Sequence, residues 1–103
     1  MNTKATFFLP LKDNDGRDLT NEIQTVEDEC FVAFGAWTLT GYFKGIWRMD
    51  DGMAKTDISA VYMVVIADED LSLLEAILRR FKAQTTQEAV FMEVIRGVDI
   101  RFI

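Results

Sequence analysis

Histidine is the most informative absence from this chain, which has none among its 103 residues. Without it the chain lacks the usual general base near neutral pH, the Ser-His and Cys-His nucleophile pairs, and the commonest ligand of zinc and haem iron. The single cysteine, Cys30, cannot form an internal disulfide, which agrees with a reducing compartment. The sequence therefore offers no catalytic residue, metal site or cofactor site.

Basic residues are also in the minority, because 11 Lys and Arg stand against 17 Asp and Glu and leave a net charge of −6. This charge repels phosphate backbones and anionic membrane surfaces, so we expect neither nucleic acid nor a membrane as partner. No apolar run approaches the roughly 20 residues of a membrane span, and no signal-peptide pattern opens the chain. We therefore expect a cytoplasmic protein.

The longest recognisable feature is a β-hairpin between Trp37 and Ala67. Aromatic and β-branched residues flank Asp51-Gly52, a pair that favours a two-residue type I′ turn. With such a loop, Phe43 lies opposite Ala60. Strand alternation then predicts one buried face, which includes Phe43 and the core anchor Trp47, and one partly exposed face.

The glycines at 41 and 45 fall on the predicted buried face of this hairpin. Glycine within a strand leaves room for close approach, so we expect a large cross-strand side chain or a packed helix to fill the space. The opposite, partly exposed face carries polar residues near the turn and apolar residues further away. Its members include Tyr42, Arg48, Asp57, Val61, Met63 and Val65.

Helical periodicity appears on both sides of the hairpin. A short strand, Thr6–Leu9, precedes the first helix, and a last strand is expected at Ala89–Ile95. Together these elements give the order βαββαβ of a ferredoxin-like α+β plait, with a four-stranded antiparallel sheet and two helices on one face. We expect residues 1–103 to form one domain. The buried stripes of the helices are Leu19, Ile23, Val26 and Cys30 in the first, and Leu71, Leu74, Ile77, Leu78 and Phe81 in the second.

Short motifs give a resemblance to a known family. Gly45-Ile46-Trp47, a turn at Gly52, Asp57 before an aliphatic run, and Gln87-Glu88-Ala89-Val90 follow one another in the chain. In this order they resemble an uncharacterised family of small bacterial α+β proteins, known only as a domain of unknown function. The resemblance implies the ferredoxin-like fold and carries over no activity or catalytic residue.

The loop after the first strand resembles a calcium-binding loop. Asp13, Asp15, Gly16 and Glu22 stand at its third, fifth, sixth and twelfth positions. The first ligand position is Leu11, however, and a strand replaces the usual entering helix. We therefore predict a solvated turn that does not bind calcium.

Polar residues near the hairpin tip are the best candidates for a ligand site. Arg48 and Asp57 are diagonal neighbours, either as an exposed ion pair or as contacts to a ligand. With Tyr42 and Glu93 they form a candidate ligand-binding set, in a pocket between the helices and the sheet.

Two functional hypotheses follow. The missing histidine and nucleophile favour a non-enzymatic binding or interaction module, and the alternative is a small enzyme or metabolite-binding sensor that uses the pocket.

The apolar side chains on the partly exposed face predict a homodimer. Its interface would use the sheet face. The rivals are that the C-terminal segment Val98–Ile103 folds back over part of this surface, or that an edge strand makes the dimer. The candidate interface residues are Tyr42, Val61, Met63 and Val65, with whichever of Phe7 or Phe8 shares their face.

Overall fold

The computed structural model describes all 103 residues and confirms the ferredoxin-like α+β fold. The sheet is antiparallel with strand order β2-β3-β1-β4, and a single turn of 3-10 helix, Asp68–Asp70, precedes the second α-helix. None of the helices has the length and apolar character needed to cross a bilayer. The main elements are β1 (Asn2–Pro10), α1 (Thr20–Phe34), β2 (Thr38–Arg48), β3 (Ala54–Ala67), α2 (Leu71–Ala83) and β4 (Met92–Arg96).

The core lies between the two helices and one face of the sheet, as the helical periodicity predicts. Every residue of the two predicted stripes is buried. These stripes pack on alternate residues of the two central strands, because period-two alternation turns every second side chain toward the helices. On the sheet they contact Ala5, Phe7 and Leu9 of β1 and Ala60, Tyr62, Val64 and Ile66 of β3.

The hairpin turn differs from the prediction by one residue. Met49 N–H donates to the Met53 carbonyl at 2.8 Å, and Gly52 N–H donates to the Met49 carbonyl at 2.9 Å. Gly52 has a φ of +84°, whereas no residue other than glycine has a positive φ. A type I′ turn would need a positive φ at Asp51 as well. The loop therefore has three residues, a type I turn followed by a left-handed glycine.

The extra loop residue shifts the pairing of β2 with β3 by one position, so each side chain of β2 after the bulge lies on the face opposite to the predicted one. Phe43 lies opposite Ser59 and not opposite Ala60, so its side chain lies on the helix-free face of the sheet. Trp47 lies on the same face and is 44% exposed, so its prediction as a buried core anchor is wrong. Tyr42 pairs with Ala60 and lies on the helix side, so it does not share a face with Val61, Met63 and Val65 as predicted.

The register shifts a second time near the start of β2. A bulge at Thr40 separates the pairs Leu39–Tyr62 and Gly41–Val61, and the Thr40 hydroxyl donates to the Val61 carbonyl at 3.0 Å. Such a bulge leaves one residue unpaired and bends the strand. At the other end of the chain β4 is five residues long, and residues 98–103 add no strand.

Candidate functional site

A cavity of about 200 Å³ lies at the hairpin end of the sheet, on the helix-free face. This cavity lies on the face opposite to the predicted pocket, because the one-residue register shift moves the hairpin aromatics to that face. A second, more open cavity lies on the helix side, between α2 and the residues that lead into β4. The apolar residues that line the first cavity are Phe8, Pro10, Trp47, Met49, Ala89 and Phe91, and the polar ones are Asn14, Arg48, Asp57, Ser59, Gln87 and Glu88.

Aromatic rings form one wall of the cavity. The Phe8 and Phe91 ring centroids are 4.9 Å apart at an interplanar angle of 65°, an edge-to-face contact. Phe43 contacts the other side of Phe8 at 5.9 Å and 77°. The sequence could not choose between Phe7 and Phe8, and the structure places Phe8 on this face and Phe7 in the core.

The two glycines of β2, Gly41 and Gly45, leave room for the rings of Phe43 and Trp47 to lie against the strand. A Cβ at Gly45 would be 3.2 Å from the Trp47 indole nitrogen, and one at Gly41 would be 3.2 Å from the Phe43 ring. The space was predicted to hold a cross-strand side chain or a helix. It is occupied by the aromatic ring two residues further along the same strand, on the same face.

The floor of the site depends on one buried carboxylate, Asp13, which is 1% exposed. It accepts hydrogen bonds from Thr86 N–H at 2.9 Å, the Thr86 hydroxyl at 2.5 Å, Gln87 Nε2 at 3.1 Å and Asn14 N–H at 3.0 Å. Arg17 pairs with it at 3.1 Å. These bonds tie the β1–α1 loop to the connector that leads to β4, and so they fix Gln87 at the cavity.

The hydrogen bonds also determine the ionisation of Asp13. Burial by itself would raise the pKa of this carboxyl, but the bonds from Thr86, Asn14 and Gln87 outweigh burial and lower the pKa to about 2. Asp13 is therefore a charged anchor at neutral pH. Its oxygens are engaged within the protein, and Glu22 of the calcium-like pattern pairs with Arg17 at 3.1 Å.

The hairpin closes the cavity from the other side through two long-range contacts. Lys55 Nζ donates to the Asn14 carbonyl at 2.6 Å. The Glu88 carboxylate accepts from Asp50 N–H, with its two oxygens at 3.1 and 3.4 Å. These contacts join the hairpin to both loops, so the cavity has walls from three separate parts of the chain.

Of the four predicted ligand-binding residues, Arg48 and Asp57 line the cavity. They form no ion pair with each other or with any other residue, so the predicted surface pair is absent. Tyr42 is exposed on the helix side of β2, and Glu93 is exposed on β4 opposite Thr6. The register nevertheless turns the side chains of Arg48 and Asp57 to opposite faces, because Arg48 pairs with Ala54 on the helix side and Asp57 pairs with Gly45 on the helix-free face. Phe8, Gln87 and Phe91 were missed, and only the polar connector at 84–87 hinted at them.

A second polar cluster lies between α1 and β3. The Tyr62 hydroxyl donates to Glu27 at 2.5 Å, and burial together with this bond raises the Tyr62 pKa. Glu29 pairs with Arg80 of α2. Burial raises the pKa of the Cys30 thiol to about 11, so it behaves as the core residue that was predicted. The acidic end of α1 is thus held by tertiary partners.

The chemistry of the cavity suits binding. Its lining combines aromatic side chains with two carboxylates and two amides, and includes no histidine or cysteine. No group of three or more Asp, Glu or Cys side chains is arranged to hold a metal ion. A nucleophile with an adjacent base, the usual requirement of covalent catalysis, does not occur in the lining.

These features define a ferredoxin-like α+β protein with a long hairpin and a small cavity beside it. No protein-family model and no curated protein matches the chain. Among solved structures it is similar to the divalent cation tolerance protein CutA1 of Thermus thermophilus. The identity is 12% and the TM-score 0.69, over 98% of this chain and 88% of that one.

Two further CutA1 structures are similar in the same way. The divalent ion tolerance protein CutA1 of Ehrlichia chaffeensis has 5% identity and a TM-score of 0.63, over 97% of this chain and 84% of its own. CutA1 of Oryza sativa has 13% identity and a TM-score of 0.60, over 95% and 83%. At such low identity the likeness establishes the shared fold, and function has to be argued from the site.

Proposed function

We propose that this chain is a non-enzymatic binding module of the bacterial cytoplasm that acts as a homodimer, with β2 at the interface. One observation carries the proposal: β2 and the residue before it expose large apolar side chains on both faces. Phe43 and Trp47 are exposed on the helix-free face, and Tyr42 and Ile46 on the helix side, where Ile46 is 72% exposed. Trp37 and Leu39 add to this surface.

The position of β2 in the sheet makes this exposure unusual. It pairs only with β3, so one side of an 11-residue strand has free backbone N–H and C=O groups. Proteins normally cover or interrupt a long, apolar edge strand because it recruits other chains. The opposite edge, β4, has only five residues. The β2 edge is therefore the longer and more apolar of the two.

A second copy of the same chain fits this surface. Two identical edge strands can pair antiparallel about a two-fold axis, and each supplies the backbone groups that the other lacks. Of the predicted interface residues, Tyr42 belongs to this surface. Met63 and Val65 on the helix-free face are only partly exposed, and Val61 is 2% exposed. The edge strand is thus better supported than the sheet face alone.

Sedimentation velocity of single-residue variants tests the interface. Ile46→Lys should convert a dimer to a monomer without loss of folding, because the residue is exposed in the monomer and a lysine there would be buried unpaired in the dimer. Val32→Lys is the matched control, since Val32 is also exposed but belongs to α1 and not to the β2 edge. This control should stay dimeric.

Met63→Lys distinguishes the two possible surfaces. We expect it to remain dimeric if the edge of β2 is used. Dissociation by Met63→Lys but not by Ile46→Lys would show a sheet-face dimer and contradict the edge-strand form. An unmodified protein that is monomeric at high micromolar concentration, or that forms a closed ring of three or more copies, contradicts the homodimer.

The cavity favours a second candidate function, the binding of a small metabolite. Asp57 and Ser59 line it on the same face as the aromatic wall, and neither side chain makes a hydrogen bond or ion pair within the protein. Convergent polar groups in a mainly apolar cavity are the usual form of a ligand site. Isothermal titration calorimetry of small metabolites with wild type and Asp57→Asn tests this function, which is independent of the dimer.

A further inference from the structure

The Asp57 carboxylate is the charged group of the cavity that the protein leaves without a partner. It lies on the helix-free face and forms no hydrogen bond or ion pair. The other long polar side chains of the lining are engaged, because Asn14, Gln87 and Glu88 bond to other parts of the protein. Arg48 borders the cavity, but its side chain lies on the helix side of the sheet. The lining therefore presents one free negative charge.

The nearest cation on the same face does not neutralise this carboxylate. Lys55 precedes Asp57 by two residues on β3, and its Nζ donates to the Asn14 carbonyl at 2.6 Å. It forms no ion pair with Asp57. The carboxylate is partly buried, and removal of a charge from water without a partner is unfavourable. A cation from outside the chain would supply the missing partner.

The Trp47 indole lies beside this carboxylate. Gly45 pairs with Asp57, and a Cβ at Gly45 would be 3.2 Å from the indole nitrogen, so the ring covers the position directly opposite Asp57. The edge-to-face rings of Phe8 and Phe91 extend the aromatic surface across the cavity. The face of an aromatic ring, most of all that of tryptophan, attracts a cation. A carboxylate next to aromatic surface is therefore suited to an organic cation.

A buried hydroxyl completes the polar side of the cavity. Ser59 follows Asp57 by two residues on the same face, is 6% exposed and makes no side-chain hydrogen bond. Its cross-strand neighbours, Phe43 and Pro10, have no polar side chain to offer it. No fully buried side-chain polar atom of the chain lacks a partner, so this hydroxyl is reached from the cavity. It gives a ligand a second polar contact.

We propose that the cavity binds a small organic ammonium ion, a protonated primary amine with an apolar body. Its N–H groups donate to Asp57, its charge lies against the Trp47 ring, and its body lies against Phe8 and Phe91. The volume of about 200 Å³ is below the roughly 300–1,000 Å³ typical of drug-sized ligands, so the amine is small. This inference rests on the second candidate function, the binding of a small metabolite, and it is independent of the dimer.

The charges of the chain favour an ammonium ion over an anion or a metal ion. The net charge of −6 attracts cations and repels anions. Calcium prefers six to eight oxygen ligands, and no three acidic side chains of the chain converge on one point. An ammonium group needs only one carboxylate and the aromatic surface beside it.

The test uses three probes of similar shape and different charge in calorimetry at neutral pH. 2-Phenylethylamine is a cation, 2-phenylethanol is neutral and 3-phenylpropionate is an anion. The amine should bind wild type at least about tenfold more tightly than the alcohol, because only the amine forms a charge-assisted hydrogen bond with Asp57. 3-Phenylpropionate should bind most weakly, since its charge repels the same carboxylate.

Variants show whether Asp57 makes the contact. Asp57→Asn should reduce the preference for the amine over the alcohol to about twofold or less, because the amide carries no charge. Glu93→Gln is the matched control. Glu93 is exposed on the same face, forms no ion pair and lies outside the cavity, so its replacement removes the same charge from the chain. The control should keep the wild-type preference.

Three results overturn the inference: no binding of 2-phenylethylamine at millimolar concentration, equal binding of the amine and the alcohol, or loss of the preference in Glu93→Gln as well as in Asp57→Asn. Binding of the alcohol without preference for the amine contradicts the ammonium ligand and leaves metabolite binding supported, whereas failure of all three probes removes the support for both. Sedimentation of the same samples reports on the dimer separately.

Discussion

The two faces of the sheet differ in how they are completed. The helix face is covered by α1 and α2 and contains nearly all the buried apolar residues. On the helix-free face only Pro10, Ser59 and Val61 are buried to a similar extent, and partly exposed aromatic rings surround the cavity. The fold is therefore stabilised mainly from the helix face, whereas the other face leaves apolar and charged side chains partly exposed.

The two faces should differ most in how much their side chains contribute to the free energy of unfolding. Phe81→Ala should lower the free energy of unfolding by about 3–5 kcal/mol, because Phe81 is buried in α2 and its truncation leaves a cavity. Trp47→Ala should cost about 1–2 kcal/mol, since much of the side chain already contacts water. Urea unfolding of both variants gives the two free energies. Equal losses would show that the helix-free face belongs to the core.

Asp13 is the polar exception that joins the loops around the cavity. Asp13→Asn should lower the free energy of unfolding by about 2–3 kcal/mol, because an amide offers a donor where Thr86 and Arg17 need an acceptor. Asp15→Asn is the control, since Asp15 is exposed and accepts only one local bond. Chemical denaturation at neutral pH measures both, and equal effects would contradict the role given to Asp13.

The Asp13 carboxyl also makes the stability of the fold depend on pH. The folded pKa of about 2 lies below the ordinary value of 3.8, so the unfolded chain binds more protons between them. Its contribution to stability is complete above about pH 4 and is lost as the pH falls to about 2. This loss, at most about 2 kcal/mol, should be present in wild type and absent in Asp13→Asn.

Local pattern was sufficient for the helix face. The spacing of Leu74, Ile77, Leu78 and Phe81 specifies one face of a helix regardless of its neighbours, and all are buried. The hairpin was different, because Asp51-Gly52 fits a two-residue or a three-residue loop equally well. One extra loop residue reverses every side chain of β2, so Tyr42 and Trp47 were assigned to the wrong faces.

Part of the candidate site could be predicted from strand alternation, and the part built by long-range hydrogen bonds could not. Asp57 was placed on the correct face, because the alternation of β3 alone decides its side, whereas Arg48 was not, because its side chain turns over with the rest of β2. Phe91 and Gln87 reach the cavity because Asp13 holds a connector more than 70 positions away in sequence. The residues next to Asp13 in the sequence do not indicate that Thr86 and Gln87 bind its carboxylate. Read without these partners, the acidic loop resembles a calcium-binding loop.

Residue-resolved hydrogen exchange of β2 is the sharpest test of the proposed homodimer, because a second copy would cover the free edge of this strand. In concentrated protein, the amides of residues 38–48 that do not donate to β3 should exchange slowly, and they should exchange rapidly after dilution to the monomer. Fast exchange of these amides at both concentrations would contradict the homodimer and leave β2 an open edge.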